Sequence, residues 1–258
     1  MKTWFITGTS SGFGRALAEA LIAKGERVIA TARKIESLAD LVAKAPDRVV
    51  ALELDVTKPE QIARARTEAG DVDVVVNNAG FSIIGAVEET DERSLRDTME
   101  TMFFGAANVT RAFVPQLRAR KAGTFVQISS VGGQSTAPGF SAYCAAKFAL
   151  EGFSETLASE MAPFGVKVLI VEPGAYRTEL FGGAFRSLPK MAEYESTVGQ
   201  TRKYVEANTG AQPGDPKQAA KAIIDAVNAG VPNLRLPLGD DAIQGLRAKI
   251  QSLTRDVG

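Results

Sequence analysis

Short apolar runs alternate with stretches of helical spacing from the first residues onward, and this alternation narrows the possible folds more than any single motif does. Residues 2–7, 27–31, 49–54 and 72–76 read as strands. Between them Leu17, Ala18, Leu21 and Ile22, then residues 36–44 and 59–69, read as helices. A strand, a helix of about ten residues and a further strand form a crossover, and crossovers make neighbouring strands parallel. Parallel strands are covered on both faces and so are apolar along most of their length, as residues 72–76 are. The rest of the chain keeps the rhythm. Thr90 or Asp91 caps a long helix to Arg120, with Pro115 kinking its last part. There follow a strand at 125–129, a helix opened by Tyr143, a strand at 166–171, a helix at 216–228, a strand at 234–238 and a last helix from Asp240. The expectation is one domain over residues 1–258. Its class is α/β: a Rossmann-type, doubly wound parallel sheet of about seven strands with helices on both faces.

Charge and rare residues exclude whole classes of chemistry. Thirty basic and thirty acidic side chains cancel and are intermixed, which leaves no electrostatic footprint for nucleic acid or an anionic membrane. No apolar run reaches membrane-spanning length, and the N-terminus enters a strand with no charged-then-apolar leader. There is no histidine and one cysteine, Cys144. His-based triads, HExxH sites and Cys/His zinc clusters are therefore excluded, and no metal is expected, although an all-carboxylate site stays open. The expected setting is reducing and cytoplasmic, and the expected partners are small molecules.

The chemistry-bearing stretch is 129–147. It runs from a strand end at Ser129-Ser130, through a Gly- and Ser-containing loop, to Tyr143 and Lys147 on a helix. Four residues apart, Tyr143 and Lys147 share a helix face. A tyrosine with its reference pKa near ~10 is a poor acid–base group, and a neighbouring ammonium is expected to lower that value. Ser130 is placed to stabilise an oxygen on which charge develops. Ser129 points to the opposite face of the strand.

Ahead of it, Gly8, Gly12 and Gly14 form a turn between the first strand and helix, with Ser11 and Phe13 inside it. Such a turn lets a backbone approach a pyrophosphate at a helix N-terminus, and also serves a plain loop. Asp55 and Asn77 close the third and fourth strands on the edge where such sheets bind ligands; each also suits a turn cap. Residues 178–214 lose periodicity but keep Phe181, Phe185, Met191, Tyr194 and Tyr204. That stretch is a substrate lid or a helical excursion covering core.

Taken together, Thr7-Gly8-x-x-x-Gly12-x-Gly14, Asp55, Asn77-Asn78-Ala79-Gly80, Ser130, Tyr143-x-x-x-Lys147, and Pro173-Gly174 with Thr178 resemble the short-chain dehydrogenase/reductase family over the first ~180 residues. Residues 28–33 and 233–239 look most like its hydroxysteroid- and retinol-dehydrogenase-like subgroup. The resemblance implies that Gly8, Ser11, Gly12, Phe13 and Gly14 line a cofactor diphosphate. It implies Asp55 and Val56 at the adenine, Asn77, Ala79 and Gly80 around the adenosine ribose, and Pro173, Gly174 and Thr178 at the nicotinamide. Tyr143 is implied as the proton donor or acceptor, with Lys147 lowering its pKa and holding the nicotinamide ribose. Relatives commonly pair through the long helix and the Tyr-bearing helix, which implies a homodimer or homotetramer.

The second strand ends Thr31-Ala32-Arg33-Lys34 with no acid. A guanidinium pairs well with phosphate, so NADP is expected over NAD, with Arg33 as the first contact; a solvated turn arginine is the plain alternative. One position departs from the family: Met102 stands where relatives carry an asparagine that anchors a water behind the lysine. A thioether is a weak acceptor and no donor. Asn108, six residues on, faces elsewhere. The expected activity is NADP(H)-dependent interconversion of a carbonyl and a secondary alcohol on a fairly apolar small molecule. Its pocket is expected from residues 81–87, 134–140 and the lid aromatics. The competitor is a weakly active or inactive cofactor-binding sensor or scaffold. Cys144, beside the tyrosine and followed by alanines, is expected to be a small packing residue.

Overall fold

The computed structural model describes residues 1–181 and 185–258, with the Phe181 side chain outside that description. The elements in order are β1 (Thr3–Ile6), α1 (Gly12–Ala23), β2 (Arg27–Ala32), α2 (Ala39–Lys44), β3 (Val49–Glu53), α3 (Pro59–Ala69), β4 (Val74–Asn77), β5 (Ser82–Ile84) and α4 (Glu92–Met99). They continue as α5 (Gly105–Arg120), β6 (Gly123–Ile128), α6 (Ser141–Met161), β7 (Val166–Pro173), β8 (Phe185–Ser187), α7 (Gln200–Asn208), α8 (Pro216–Asn228), β9 (Arg235–Leu238) and α9 (Asp240–Val257).

Seven strands form one sheet in the order β3-β2-β1-β4-β6-β7-β9, every pair parallel. This is the expected Rossmann-type α/β architecture. Strand alternation splits the core into two layers. Trp4, Ile6, Val28, Ala30, Val74 and Val76 face one way and pack with Leu17 and Leu21 of α1 and Ile223 and Val227 of α8. Phe5, Ile29, Val75 and Phe125 face the other way, against Ile62 of α3, Phe113 of α5 and Leu157 of α6. A helix layer thus seals each face, and the order reverses at β1, where β2 lies on one side and β4 on the other. Ligands of such sheets bind outside the carboxyl ends of the strands at that reversal.

Three expectations change in detail. The helix expected over 36–44 begins as a 3₁₀ turn, Ile35–Leu38, before α2. The long helix is capped by Asp91, whose Oδ1 accepts from the Ser94 amide at 2.7 Å, while the Thr90 hydroxyl is turned to the Ala86 carbonyl. That helix is interrupted at Glu100–Phe104 by a π-helical turn rather than by Pro115, which α5 carries within its length. A tertiary contact sits at the end of that turn. Val56 packs where a side chain on Gly105 would begin, with Cγ2 only 2.7 Å from that point, so only glycine lets the helix pass so close.

The aperiodic stretch is ordered as a helical excursion, and residues 182–184 of it lie outside the described residues. β8 pairs in parallel with β5, and Val198 joins Ile84 and Ala86 in a small satellite core. Glu89 accepts from the Ala86 and Met191 amides, each at 2.7 Å, and from Arg202 Nη2 at 2.8 Å. The pair is buried, with 4% and 0% of the Arg202 and Glu89 side chains exposed. The Arg202 guanidinium holds the Glu89 carboxyl down to about 2. Among the described residues no helix is long and apolar enough to cross a membrane.

Candidate active site

β6 ends at Ile128, and Ser130, with extended backbone at φ −171°, is half-buried on the cleft while the Ser129 hydroxyl is turned into the interior. Ser129 is 3% exposed and its Oγ has no hydrogen-bond partner. Ser130 Oγ accepts from the Gly132 amide at 3.0 Å and lies 3.5 Å from the Pro173 carbonyl. It lies beside the Tyr143 ring: Ser130 Oγ and Tyr143 Cε1 are 3.4 and 3.1 Å from the point where a Gly132 side chain would begin. Tyr143 and Lys147, in the first turns of α6, are both buried.

The electrostatics differ from the expectation that Lys147 lowers the Tyr143 pKa. Burial pushes Tyr143 up to about 12, against a smaller downward pull from the Ser130 hydroxyl. Burial also pushes Lys147 down to about 8, with the charge of Glu151 opposing it. Desolvation penalises both charged forms and wins at both. The ammonium is spent elsewhere: Nζ donates to the Ile128 carbonyl at 2.7 Å and stands 5.8 Å from the Tyr143 ring centre. In this state Tyr143 is a fully protonated acid poised against Ser130.

Met102, 1% exposed, packs against Tyr143, Cys144 and Ala146, and its Sδ lies 3.4 Å from where a Gly80 side chain would begin. The space behind the tyrosine is thus apolar. Cys144 is buried, its thiol is pushed up by burial, and it makes one weak 3.9 Å contact to the Ser135 carbonyl. It packs, as expected.

Met102, Ser130, Tyr143 and Lys147 line a cleft of about 610 Å³ at the carboxyl edge of the sheet. From the first turn come Gly8, Ser11, Gly12 and Phe13; from the ends of β2 and β3 come Arg33, Asp55 and Val56. After β4 come Ala79 and Gly80; after β7 come Pro173, Gly174 and Thr178, facing Ser130, Tyr143 and Lys147. Gly14 is beneath the cleft wall: a side chain there would sit 2.4 Å from the Gly8 carbonyl oxygen, so glycine lets helix and turn close together.

Asn77 does not meet the expectation drawn for it. Its side chain is turned into the core, where Nδ2 donates to Thr110 Oγ1 at 2.9 Å and Gln127 Oε1 at 3.0 Å. Asn78 lines the cleft instead, with Nδ2 donating to the Thr7 and Gly8 carbonyls, both at 2.9 Å, which ties the Gly-rich turn to β4. Strand alternation is the signal that separates the two asparagines. Asp55 is half-committed to its own turn: Oδ1 accepts from the Thr57 amide and hydroxyl. The expected substrate walls are mostly absent from the cleft. Phe81 lines it, but Ile83 and Ile84 are in the core, Tyr194 bonds Glu88, and Tyr204 is 65% exposed. Arg186, stacked 4.3 Å over Phe81 and 3.9 Å from Asp97, is a lining residue the sequence did not single out.

The residues fit a dinucleotide. Gly8 and Gly12 have φ of +72° and +59°, and a side chain on Gly8 would press 3.0 Å against the Ala79 Cα. Ser11 caps α1 without a side-chain hydrogen bond and no acid occupies the first turn, so the helix N-terminus is left for an anion. Asp241 of α9 accepts from the Ala175 amide at 2.6 Å and fills the space beside Gly174, bracing the loop at the opposite end of the cleft. Among the described residues no cluster of side chains is suited to a metal ion.

A family model for short chain dehydrogenases matches residues 2–188. The chain is a short-chain dehydrogenase/reductase. Oxidoreductase BOA17 of Botryotinia fuckeliana (strain B05.10) is 41% identical over 249 residues, spanning 94% of this chain and 90% of that protein. Human retinol dehydrogenase 8 is 34% identical over 253 residues, 91% and 80% of the two chains, in line with the retinol-dehydrogenase-like subgroup. A short-chain dehydrogenase structure from Streptomyces avermitilis shares 51% identity and superposes with a TM-score of 0.93 over 100% of this chain and 96% of that one. Another, from Burkholderia cenocepacia in complex with NADP, shares 30% identity with a TM-score of 0.79, covering 99% and 96%. As a short-chain dehydrogenase/reductase the protein is an oxidoreductase.

Proposed function

We propose that this dehydrogenase interconverts a carbonyl and a secondary alcohol on a fairly apolar small molecule, using NADP(H), with Tyr143 as the acid–base group. The observation that carries the reading is the burial of Tyr143 beside Ser130 and Lys147 in the same cleft as the Gly8–Gly12 turn. The turn and the open N-terminus of α1 would hold the diphosphate, Arg33 a 2′-phosphate, and Pro173, Gly174 and Thr178 the nicotinamide end. When bound, the nicotinamide supplies or accepts the hydride. Ser130 orients the substrate oxygen, and Tyr143 gives its proton to that oxygen in reduction and takes it back in oxidation. Burial that holds the phenol protonated favours the donor role. Exposed Phe104 and Phe148 (44% and 40%) on the long helix and α6 favour pairing into a homodimer or homotetramer. A cytoplasmic setting suits the single unpaired thiol.

Tyr143→Phe is the direct test. NADPH-dependent reduction across a carbonyl panel is expected to fall by about 10²–10⁴-fold with cofactor binding retained; equal rates with and without the hydroxyl would overturn the mechanism. A second reading, a cofactor-binding sensor of low turnover, rests on the apolar Met102 packed behind Tyr143. It gains if NADPH binds tightly and no carbonyl or alcohol is turned over.

A further inference from the structure

α6 carries three polar side chains at four-residue intervals, Tyr143, Lys147 and Glu151, and the third has no part in the chemistry above. Four-residue spacing puts them in one row, so Glu151 lies one turn behind the lysine. It is 3% exposed, and Glu172 of β7, beside it, is fully buried. Arg235 of β9 reaches both: Nη2 lies 3.2 Å from Glu151 Oε2, and Nε 3.2 Å from Glu172 Oε1. The same guanidinium meets half-exposed Glu155, and Gln134 Nε2 donates to Glu151 Oε2 at 3.1 Å.

One oxygen of each buried carboxyl is therefore served. The others, Glu151 Oε1 and Glu172 Oε2, are buried with no donor among the described residues. The two carboxyls are held side by side on one guanidinium, and the charge of Glu151 acts on Glu172. Two carboxylates so placed repel, and one proton between them gives both orphan oxygens a partner. Arg235 is divided among Glu151, Glu172 and half-exposed Glu155, so it does not neutralise both buried carboxyls by itself. The groups facing the pair are Arg235, Glu155, Lys147, and the uncharged Ser129 and Gln134; Ser129 Oγ and Glu151 Oε1 lie 2.5 and 3.1 Å from the point where a Gly133 side chain would begin.

We propose that Glu151 and Glu172 hold one proton between them and that this pair, through Glu151, sets the charge of Lys147 behind the catalytic tyrosine. Glu151 is thus a positioning residue, and its bearing on turnover rests on the carbonyl–alcohol reading above. Burial and the Glu151 charge push Glu172 up to about 7, and burial brings Lys147 down to about 8. As pH rises, the pair gives up its proton first. A second negative charge then appears behind the ammonium, and it opposes loss of the Lys147 proton.

The test uses the full chain without any carbonyl substrate. In protein labelled with ¹⁵N-lysine, the Lys147 Nζ signal is assigned by its loss in Lys147→Arg and titrated. Its midpoint is expected near pH 8, to fall by about one unit, tenfold in proton affinity, in Glu151→Gln, and to recover in Glu151→Asp. Infrared spectra are expected to show a buried protonated carboxyl that titrates near pH 7 and is missing in Glu172→Gln. A Lys147 midpoint unmoved in folded Glu151→Gln, or no such carboxyl band, would overturn the proposal. If Glu151→Gln does not fold, Glu172→Gln, whose amide copies the protonated acid, is expected to lower the Lys147 midpoint in its place; an unmoved midpoint there counts equally against. Lack of turnover leaves both readouts intact, and loss of the pair leaves the Tyr143→Phe test intact.

Discussion

Arg33 stands exposed at the mouth of the cleft and makes no hydrogen bond or ion pair within the described residues, so its guanidinium is free for an incoming phosphate. A hydrogen bond to a charged group contributes about 1.5–3 kcal/mol. Arg33→Ala is therefore expected to weaken NADPH binding by about 10–100-fold while leaving NADH nearly unchanged, measured by titrating cofactor fluorescence. Equal losses for the two cofactors would sink the assignment. Met102→Asn is expected to speed turnover if the apolar wall behind Tyr143 limits proton supply, and the slope of rate against pH is the measurement. At this scale the sequence was readable where a side chain's role follows from its own neighbours. Tyr143 and Lys147 share a helix face, and the Ser129 hydroxyl is buried while Ser130 stays half-exposed, by strict alternation. The same alternation separates Asn77 from Asn78, but the family pattern had drawn the eye to the first. The direction of the Tyr143 shift was not readable, because desolvation depends on Met102, Phe140 and the opposite loop closing over the phenol.

Elements with local start signals could be read to the residue. α3 and α8 each begin with a proline in the first turn, whose missing amide costs nothing there. The strands stood out because both faces of a parallel sheet are buried. The π turn at Glu100–Phe104 stayed hidden, as did the packing of Val56, far off in sequence, on Gly105 at its end. The excursion after β7 was equally hidden: its small core and the Arg202–Glu89 pair join residues over a hundred positions apart. Removing one partner of such a buried pair leaves an uncompensated charge and costs about 3–5 kcal/mol. Arg202→Met is expected to destabilise the excursion by that order, seen as earlier proteolysis near residues 185–208 before global melting. The Glu89 carboxyl is held down to about 2. Its stabilising share is thus complete above the unfolded carboxylate range near ~4.3 and fades as pH falls towards 2. Acid-induced opening of this segment ahead of the sheet is the checkable outcome, by hydrogen exchange.

For the whole molecule, the buried groups of the site shape stability against pH. Glu172 is raised to about 7, so between roughly 4.5 and 7 the folded state keeps a proton that the unfolded chain has lost, and stability falls as pH rises. Lys147 is lowered to about 8, so from there to roughly 10.5 the unfolded chain holds the extra proton and stability recovers. Thermal melts across pH are expected to show a shallow minimum near pH 7–8, flattened on its acid side in Glu172→Gln. With no imidazole in the chain, histidine cannot supply that slope. Layer order was legible from the alternating pattern alone, since crossovers leave few topologies. The bracing of the cleft was not, because Asp241 of α9 closes against Gly174 and Ala175 across more than sixty residues. That brace has a consequence during synthesis. The Gly-rich turn emerges early and the loop at 174–178 midway, but the helix that steadies that loop leaves the ribosome after every strand of the sheet. The nascent chain therefore carries a half-built cleft until α9 has emerged, and nascent chains halted before residue 240 are expected to escape retention on immobilised nucleotide.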